Sequence, residues 1–297
     1  MIRHFLSLSS IPNSHILALI DRALFFSLHK TEPILKNKII ANVFYEPSTR
    51  TRISFEVAAK KLGAEVINFT PESSSVKKGE TVYDTLKTLE NLEIDTLILR
   101  HSDDHIFDSL QDKIQKPILN AGAGKFEHPS QGLLDLVTLY QEFGKLEGLT
   151  IAVCGDIKYS RVAGSLFVAA KKFGMKIIIS GPGDLLPQDY DQAFVQKLPF
   201  DEAIKKADAV MMLRIQLERH QGLELDAQTY HQNFGLTTER INRMPDHSIF
   251  MHPGPFNRGV EISDEIVEHS KSRIFKQVNN GVFARMAILE WIMNKGE

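Results

Sequence analysis

Ile39-Ile40-Ala41-Asn42-Val43-Phe44-Tyr45-Glu46-Pro47-Ser48-Thr49-Arg50-Thr51-Arg52 begins as a short apolar run and becomes a helical pattern within a few residues. The run 39–45 reads as a buried strand. Beyond it Phe55, Ala58, Ala59 and Leu62 recur at helical spacing as far as Gly63, which predicts a helix over 51–62. Ser48 to Arg52 therefore sits where a strand feeds a helix. Free N–H groups and the positive end of the helix dipole converge there, and both favour an anion. A lone Ser-Thr pair before a helix is more often only a cap, by about three to one. Two arginines in the first turn shift that balance. Cations oppose the dipole unless an anion, or a carboxylate such as Glu56, offsets them. Arg50 reads as the ligand and Arg52 as a structural ion pair.

Outward from this stretch, strand-like and helix-like segments alternate through most of the chain, the signature of an α/β protein with parallel sheets. Strands are expected at 39–45, 64–69, 94–100 and 117–120, then in a second series at 150–155, 176–180, 209–213 and 248–252. Helices are expected at 12–29, 51–62, 80–92 and 105–111. Two sheets of about four strands, each flanked by helices, predict two domains of similar size. Residues 1–130 form the first and 131–280 the second. A helix over 129–143 connects them, and the amphipathic segment 282–293, after Asn279-Asn280-Gly281, belongs to a tail (281–297) that packs back on the first domain.

With 297 residues and 43% hydrophobic content, the chain can bury a large core. A formal net charge of −2 argues against nucleic-acid or membrane-surface binding, so its cationic clusters read as local sites for small anions. The single Cys154 excludes an intrachain disulfide; set in the run Thr150-Ile151-Ala152-Val153-Cys154, it reads as a core thiol in a reducing compartment. No run approaches membrane-spanning length, and a soluble cytoplasmic protein is expected.

Strand ends of open α/β sheets face the ligand crevice, and several polar groups fall at those ends. Arg100 and His101 follow Leu97-Ile98-Leu99, Arg214 and Gln216 follow 209–213, and His252-Pro253-Gly254-Pro255 follows 248–252. His128-Pro129-Ser130-Gln131 opens the connecting helix. Gly155 to Arg161 occupies the position of a dinucleotide loop without its glycine pattern, and no Walker loop or serine elbow is found. His128 has no second ligand at metal spacing, so no metal and no other cofactor is expected. A site of arginine, lysine, histidine, threonine and glutamine works by orienting a reacting anion and stabilising its charge.

Ser48-Thr49-Arg50-Thr51-Arg52, His128-Pro129-Ser130-Gln131 and His252-Pro253-Gly254-Pro255 occur in the order, and at about the intervals, found in the aspartate/ornithine carbamoyltransferases, and the resemblance spans the whole chain. Lys77-Lys78-Gly79-Glu80-Thr81, Gly155-Asp156 through Ser160-Arg161, and Arg214-Ile215-Gln216-Leu217-Glu218-Arg219 resemble the catalytic chains of the aspartate branch. The ornithine branch usually carries a cysteine in its last motif, and here there is none. The resemblance implies transfer of the carbamoyl group of carbamoyl phosphate to L-aspartate, in pyrimidine synthesis. Ser48, Thr49, Arg50 and Thr51 would hold the phosphate, and Ser74 would join them. Thr51, Arg100 and His128 would polarise the carbonyl. Gln131 and the main chain around Pro253, Gly254 and Pro255 would fix the carbamoyl amide, and Lys78, Arg161, Arg214 and Gln216 would take the aspartate carboxylates. The resemblance further implies a homotrimer in which Ser74 and Lys78 reach a neighbouring subunit's site; regulatory or dihydroorotase chains stand as candidate further partners. Gly254 departs from the leucine of many relatives, and a looser loop is expected there.

Overall fold

The computed structural model describes residues 2–71, 79–125, 127–215 and 226–294. In chain order the elements are α1 (Asn13–Leu28), β1 (Ile39–Phe44), α2 (Thr49–Lys61), β2 (Glu65–Phe69), α3 (Val82–Asn91), β3 (Thr96–His101), α4 (Ile106–Leu110), β4 (Ile118–Ala123), α5 (Pro129–Phe143) and β5 (Thr150–Cys154). They continue with α6 (Arg161–Lys172), β6 (Lys176–Ser180), β7 (Val195–Lys197), α7 (Phe200–Lys206), β8 (Ala209–Met212), α8 (Ala227–Phe234), α9 (Thr238–Ile241), β9 (Ile249–Met251) and α10 (Ile274–Met293). The chain divides into two compact units, Met1–Val137 with Asn279–Glu297, and Thr138–Val278, so the divisions fall inside α5 and α10.

The first unit holds a parallel sheet in the order β2-β1-β3-β4. Five of the six residues of β1 and of β3 are buried, as a parallel strand covered on both faces requires. Val43, Leu97, Leu99, Leu86 and Ile118 belong to one core cluster, each large side chain contributing about 1.5–3 kcal/mol by leaving water. Helix α3 starts with a reciprocal cap in which Thr81 accepts from the Asp84 N–H and Asp84 returns the bond. The part of α10 in this unit packs on α1 through the Arg22–Glu290 ion pair at 2.6 Å and through Trp291, edge-on to Phe5.

The second unit holds a five-stranded parallel sheet, β7-β6-β5-β8-β9. Its fifth strand, β7, was not expected: it has only three residues, of which Val195 alone is buried, too few for an apolar period to register. Ala152, Ile178, Val210, Met212 and Phe250 from the other strands share a core with Phe200 and Ile204 of α7.

The last helix also differs from expectation. The segment expected at 282–293 starts earlier, since α10 runs from Ile274 through Asn279-Asn280-Gly281. Asn280 is buried, and Gly281 admits a close approach, since a Cβ there would lie 2.7 Å from Arg285 Nη1 and 3.2 Å from Leu134 Cδ2. Packing overrides local turn propensity here. No helix among the described residues is long and apolar enough to cross a membrane.

Candidate active site

In the first sheet the chain runs from β1 outward to β2, then returns across β1 to β3 and β4. The direction of winding thus reverses between β1 and β3, and such a switch point leaves a crevice beyond the strand ends. Phe44 pairs in register with Arg100 there. Past β1, Ser48 caps α2 in an extended conformation, yet its side chain makes no capping hydrogen bond and the first turn contains no acidic residue. The helix start is left positive, with Thr49 and Arg50 exposed on it and Thr51 buried at its base. Glu56 does not serve Arg52 as a direct partner. Its carboxylate accepts from Lys60 Nζ at 2.7 Å and Asn68 Nδ2 at 3.1 Å, which hold its pKa below the usual range, with Arg52 a weaker influence through space.

Arg100, His128 and Thr51 are buried around the same strand ends. Arg100 donates from Nη1 to the Ala121 carbonyl at 3.1 Å and lies 3.6 Å from Glu46, so its guanidinium is held from two sides. Of the pair Arg100-His101, it is Arg100 that is held at the crevice; His101 packs edge-on against Tyr45. His128 Nε2 meets Thr51 Oγ1 at 3.3 Å, and its Nδ1 meets Ser130 Oγ at 3.4 Å. Both tautomers satisfy these two contacts: with Ser130 donating to Nδ1 the ring proton sits on Nε2, and with Ser130 accepting it sits on Nδ1.

A buried network stands behind these residues. Gln131 donates to Asp135 at 3.0 Å, one turn along α5. Arg285 from α10 bonds Ser54 Oγ at 3.1 Å and the Gly281 carbonyl at 3.0 Å, and lies over the Phe55 ring at 4.9 Å. Burial lowers the Arg285 pKa to about 10, while the charge of Asp135 works the other way. Arg285 therefore remains a cation at neutral pH, braces α2 through Ser54 and Phe55, and acts on Asp135 of α5 through its charge.

The second unit repeats the arrangement with different residues. Its switch point lies between β5 and β8. Beyond β5, Ser160 caps α6 by accepting from the Ala163 N–H, and Arg161 occupies the first helical position, where a cation opposes the dipole. Beyond β8 comes Arg214, half-buried. Beyond β9, the buried His252 accepts the Gly254 N–H at Nδ1 at 2.9 Å, and its main-chain N–H donates to Gln277 Oε1 at 2.8 Å. Gly254 has φ +65°, the left-handed region that glycine enters without strain. Pro253 is half-buried and Pro255 exposed on the same segment. Cys154 is buried, and burial raises its thiol pKa far above the nucleophilic range.

Residues 3–141 match the carbamoyl-phosphate-binding domain model of the aspartate/ornithine carbamoyltransferases, and residues 147–292 match the aspartate/ornithine-binding domain model. The chain belongs to the aspartate/ornithine carbamoyltransferase family. Solved structures of aspartate transcarbamoylase from Trypanosoma cruzi share its fold. The complex with carbamoyl phosphate aligns with a TM-score of 0.86 at 32% identity, covering 97% of this chain and 95% of that one. The complex with N-(phosphonacetyl)-L-aspartic acid aligns at 0.85 and 32%, covering 97% and 94%. The complex with carbamoyl aspartate and phosphate gives 0.85 at 31%, with the same coverage.

Within this family member, the first unit brings Ser48, Thr49, Arg50, Thr51, Arg100, His128 and Gln131 to one sheet edge. The second brings Arg161, Arg214, Pro253, Gly254 and Pro255 to another. Ser74, Lys78 and Gln216 lie outside the described residues. Sequence reading passed over Asp135, Ser130 as partner of His128, and Arg285. Two of these had a visible signal: an acid inside Leu133-Leu134-Asp135-Leu136-Val137 and an arginine inside Ala284-Arg285-Met286-Ala287 are charges on otherwise apolar faces, where a buried partner is required.

Proposed function

We propose that this chain is an enzyme that transfers the carbamoyl group of carbamoyl phosphate to the amine of L-aspartate, giving N-carbamoyl-L-aspartate and phosphate. One observation carries the reading: an uncapped, cationic helix start beside a buried Thr51–His128 pair and a buried Arg100, all at one switch point. The family match and the ligands of the Trypanosoma cruzi structures support it.

The chemistry follows from the residues. The main-chain N–H groups from Ser48 to Thr51, with Arg50, hold the phosphate. Thr51, Arg100 and His128 donate to the carbamoyl oxygen, and Gln131 with the Pro253 and Gly254 carbonyls orients the carbamoyl amide. When the neutral aspartate amine attacks the carbonyl carbon, negative charge grows on that oxygen, and donors already buried and aimed there stabilise it without reorganising. Collapse breaks the bond to phosphate, which departs with its electron pair and accepts the proton lost by the amine. Lys78, Arg161, Arg214 and Gln216 take the two aspartate carboxylates. A cationic amino-acid side chain such as that of ornithine would be repelled by the same arginines, which favours aspartate.

The reading includes a homotrimer in which Ser74 and Lys78 act in a neighbouring subunit's site, and a role in pyrimidine synthesis in the cytoplasm; the resemblance in the motifs supports both. Titrating carbamoyl phosphate into the protein by calorimetry tests the phosphate assignment. Arg50→Ala is expected to weaken binding about 10- to 100-fold, the value of a charge-assisted bond. Unchanged affinity would remove Arg50 from the site.

A further inference from the structure

One acidic side chain of the second unit is fully enclosed and has no part in the chemistry above. Glu261 is 0% exposed. Its Oε1 accepts the Ile215 N–H at 3.2 Å and its Oε2 accepts the Asn257 N–H at 3.0 Å. Asn257 Nδ2 adds contacts of 3.5 Å to Glu261 Oε1 and to the Ile215 carbonyl. Ile215 lies between Arg214 and Gln216, both assigned to aspartate. Asn257 closes the segment that starts at His252 and carries Pro253 and Gly254. One carboxyl group thus ties together the main chain of two substrate-binding segments.

The groups facing Glu261 are the Arg214 guanidinium, His252 Nε2 at 3.9 Å from Oε1, and the Tyr230 phenol, with Cys154 and Asp156 acting on Tyr230 in turn. Tyr230 Oη is buried and has no hydrogen-bond partner among the described residues. Burial pushes the Glu261 pKa up to about 7, against the opposing pull of the accepted N–H groups and of Arg214. The carboxyl is therefore divided between its neutral and ionised forms near neutral pH.

We propose that Glu261 is a positioning residue for aspartate: by fixing the main chain at Ile215 against the Asn257 segment, it aims Arg214 at the substrate carboxylate. The inference rests on the carbamoyl-transfer reading. A guanidinium that must meet a carboxylate on two atoms tolerates little displacement, and Arg214 is one residue from the anchored N–H. Both N–H groups are fully accepted only by the ionised carboxylate, because protonation turns one of its oxygens into an O–H donor, so the anchor loosens when Glu261 is neutral. The aspartate KM of the parent enzyme should therefore rise as pH passes downward through the Glu261 transition.

Steady-state kinetics of Glu261→Gln across pH 6 to 8 tests this. The amide keeps the shape but cannot accept from both N–H groups. We expect the aspartate KM at pH 8, where the parent carboxylate is ionised, to rise about tenfold, equivalent to roughly 1.4 kcal/mol, its pH dependence to flatten, kcat to change little, and carbamoyl phosphate affinity to hold. A folded Glu261→Gln enzyme with the parent KM and pH profile would overturn the proposal, as would lowered thermal stability with KM unmoved. Should that variant not fold, Asn257→Ala removes only the side-chain bridge and should raise KM about two- to threefold, the effect of losing a weak hydrogen bond; no change would overturn the proposal. Failure of the parent chain to carbamoylate aspartate at all would instead remove the functional reading, and this inference with it.

Discussion

In the proposed reading the two units meet the same demand, an anion held beyond the strand ends at a switch point, with opposite kinds of support. In the first, the candidate residues are braced by full charges. Asp135 and Arg285 stand behind Gln131 and Ser54, and with an Arg285 pKa of about 10 that arginine keeps its charge throughout the physiological range. In the second, the brace is Glu261, which changes charge near pH 7. The contrast separates two requirements. A leaving phosphate has to be held in one place for the carbonyl to meet its donors, and fixed charges do this at any ordinary pH. Affinity for the amine substrate can vary with proton concentration without disturbing that geometry. A pH response should therefore enter the reaction through the second unit.

The largest effect expected is on the carbonyl donors of the first unit. Arg100→Ala should lower kcat about 10²- to 10³-fold, the usual cost of losing one donor to a developing oxyanion, with a much smaller change in KM. Single-turnover assays with saturating substrates would measure it; a loss confined to KM would recast Arg100 as a binding group.

The fixed-charge brace gives a large effect of another kind. Arg285→Met leaves Asp135 buried without its compensating cation and should cost about 3–5 kcal/mol of stability in urea unfolding. Adding Asp135→Asn should recover a good part of that loss, because the pair is then removed together. Independent, additive losses would show that the two charges do not support one another.

The smallest effect concerns the second unit and its titrating brace. Glu261 has a folded pKa of about 7, raised above the ordinary 4.5. A raised carboxyl favours folding most at low pH, and its contribution is lost as pH rises from the ordinary value through about 7. The parent should therefore lose stability relative to Glu261→Gln between pH 5 and pH 8, seen as converging or crossing melting curves. No corresponding change is expected in that window when Arg285→Met is combined with Asp135→Asn, which leaves no titrating carboxyl in the first unit's brace.

Much of this organisation is legible in the amino-acid order because local signals and tertiary demands agree. The run Ile39 to Phe44 is apolar, its helix begins on a Ser-Thr-Arg-Thr-Arg turn, and both appear as elements within two residues of expectation. Legibility fails where an element depends on distant partners. Strand β7 is held by its pairing with β6 rather than by its own pattern. The turn-like Asn279-Asn280-Gly281 is kept helical by close packing of Leu134 and Arg285 around Gly281. Among site residues, Ser48, Arg50, Arg100 and His128 stand at strand ends or a helix start and can be found by that placement. Asp135, Arg285 and Glu261 follow no strand in sequence, and their importance comes from being buried beside one another or beside main-chain N–H groups, a fact of three dimensions.

In the proposed reaction the arginines beyond β5 and β8 select a dicarboxylate amine for a carbamoyl group held in the first unit. The most direct test offers the purified protein carbamoyl phosphate with L-aspartate and, separately, with L-ornithine, and follows carbamoylated amino acid and phosphate together. Stoichiometric N-carbamoyl-L-aspartate and phosphate, with no product from ornithine, is the predicted result. Turnover of ornithine without aspartate would contradict it.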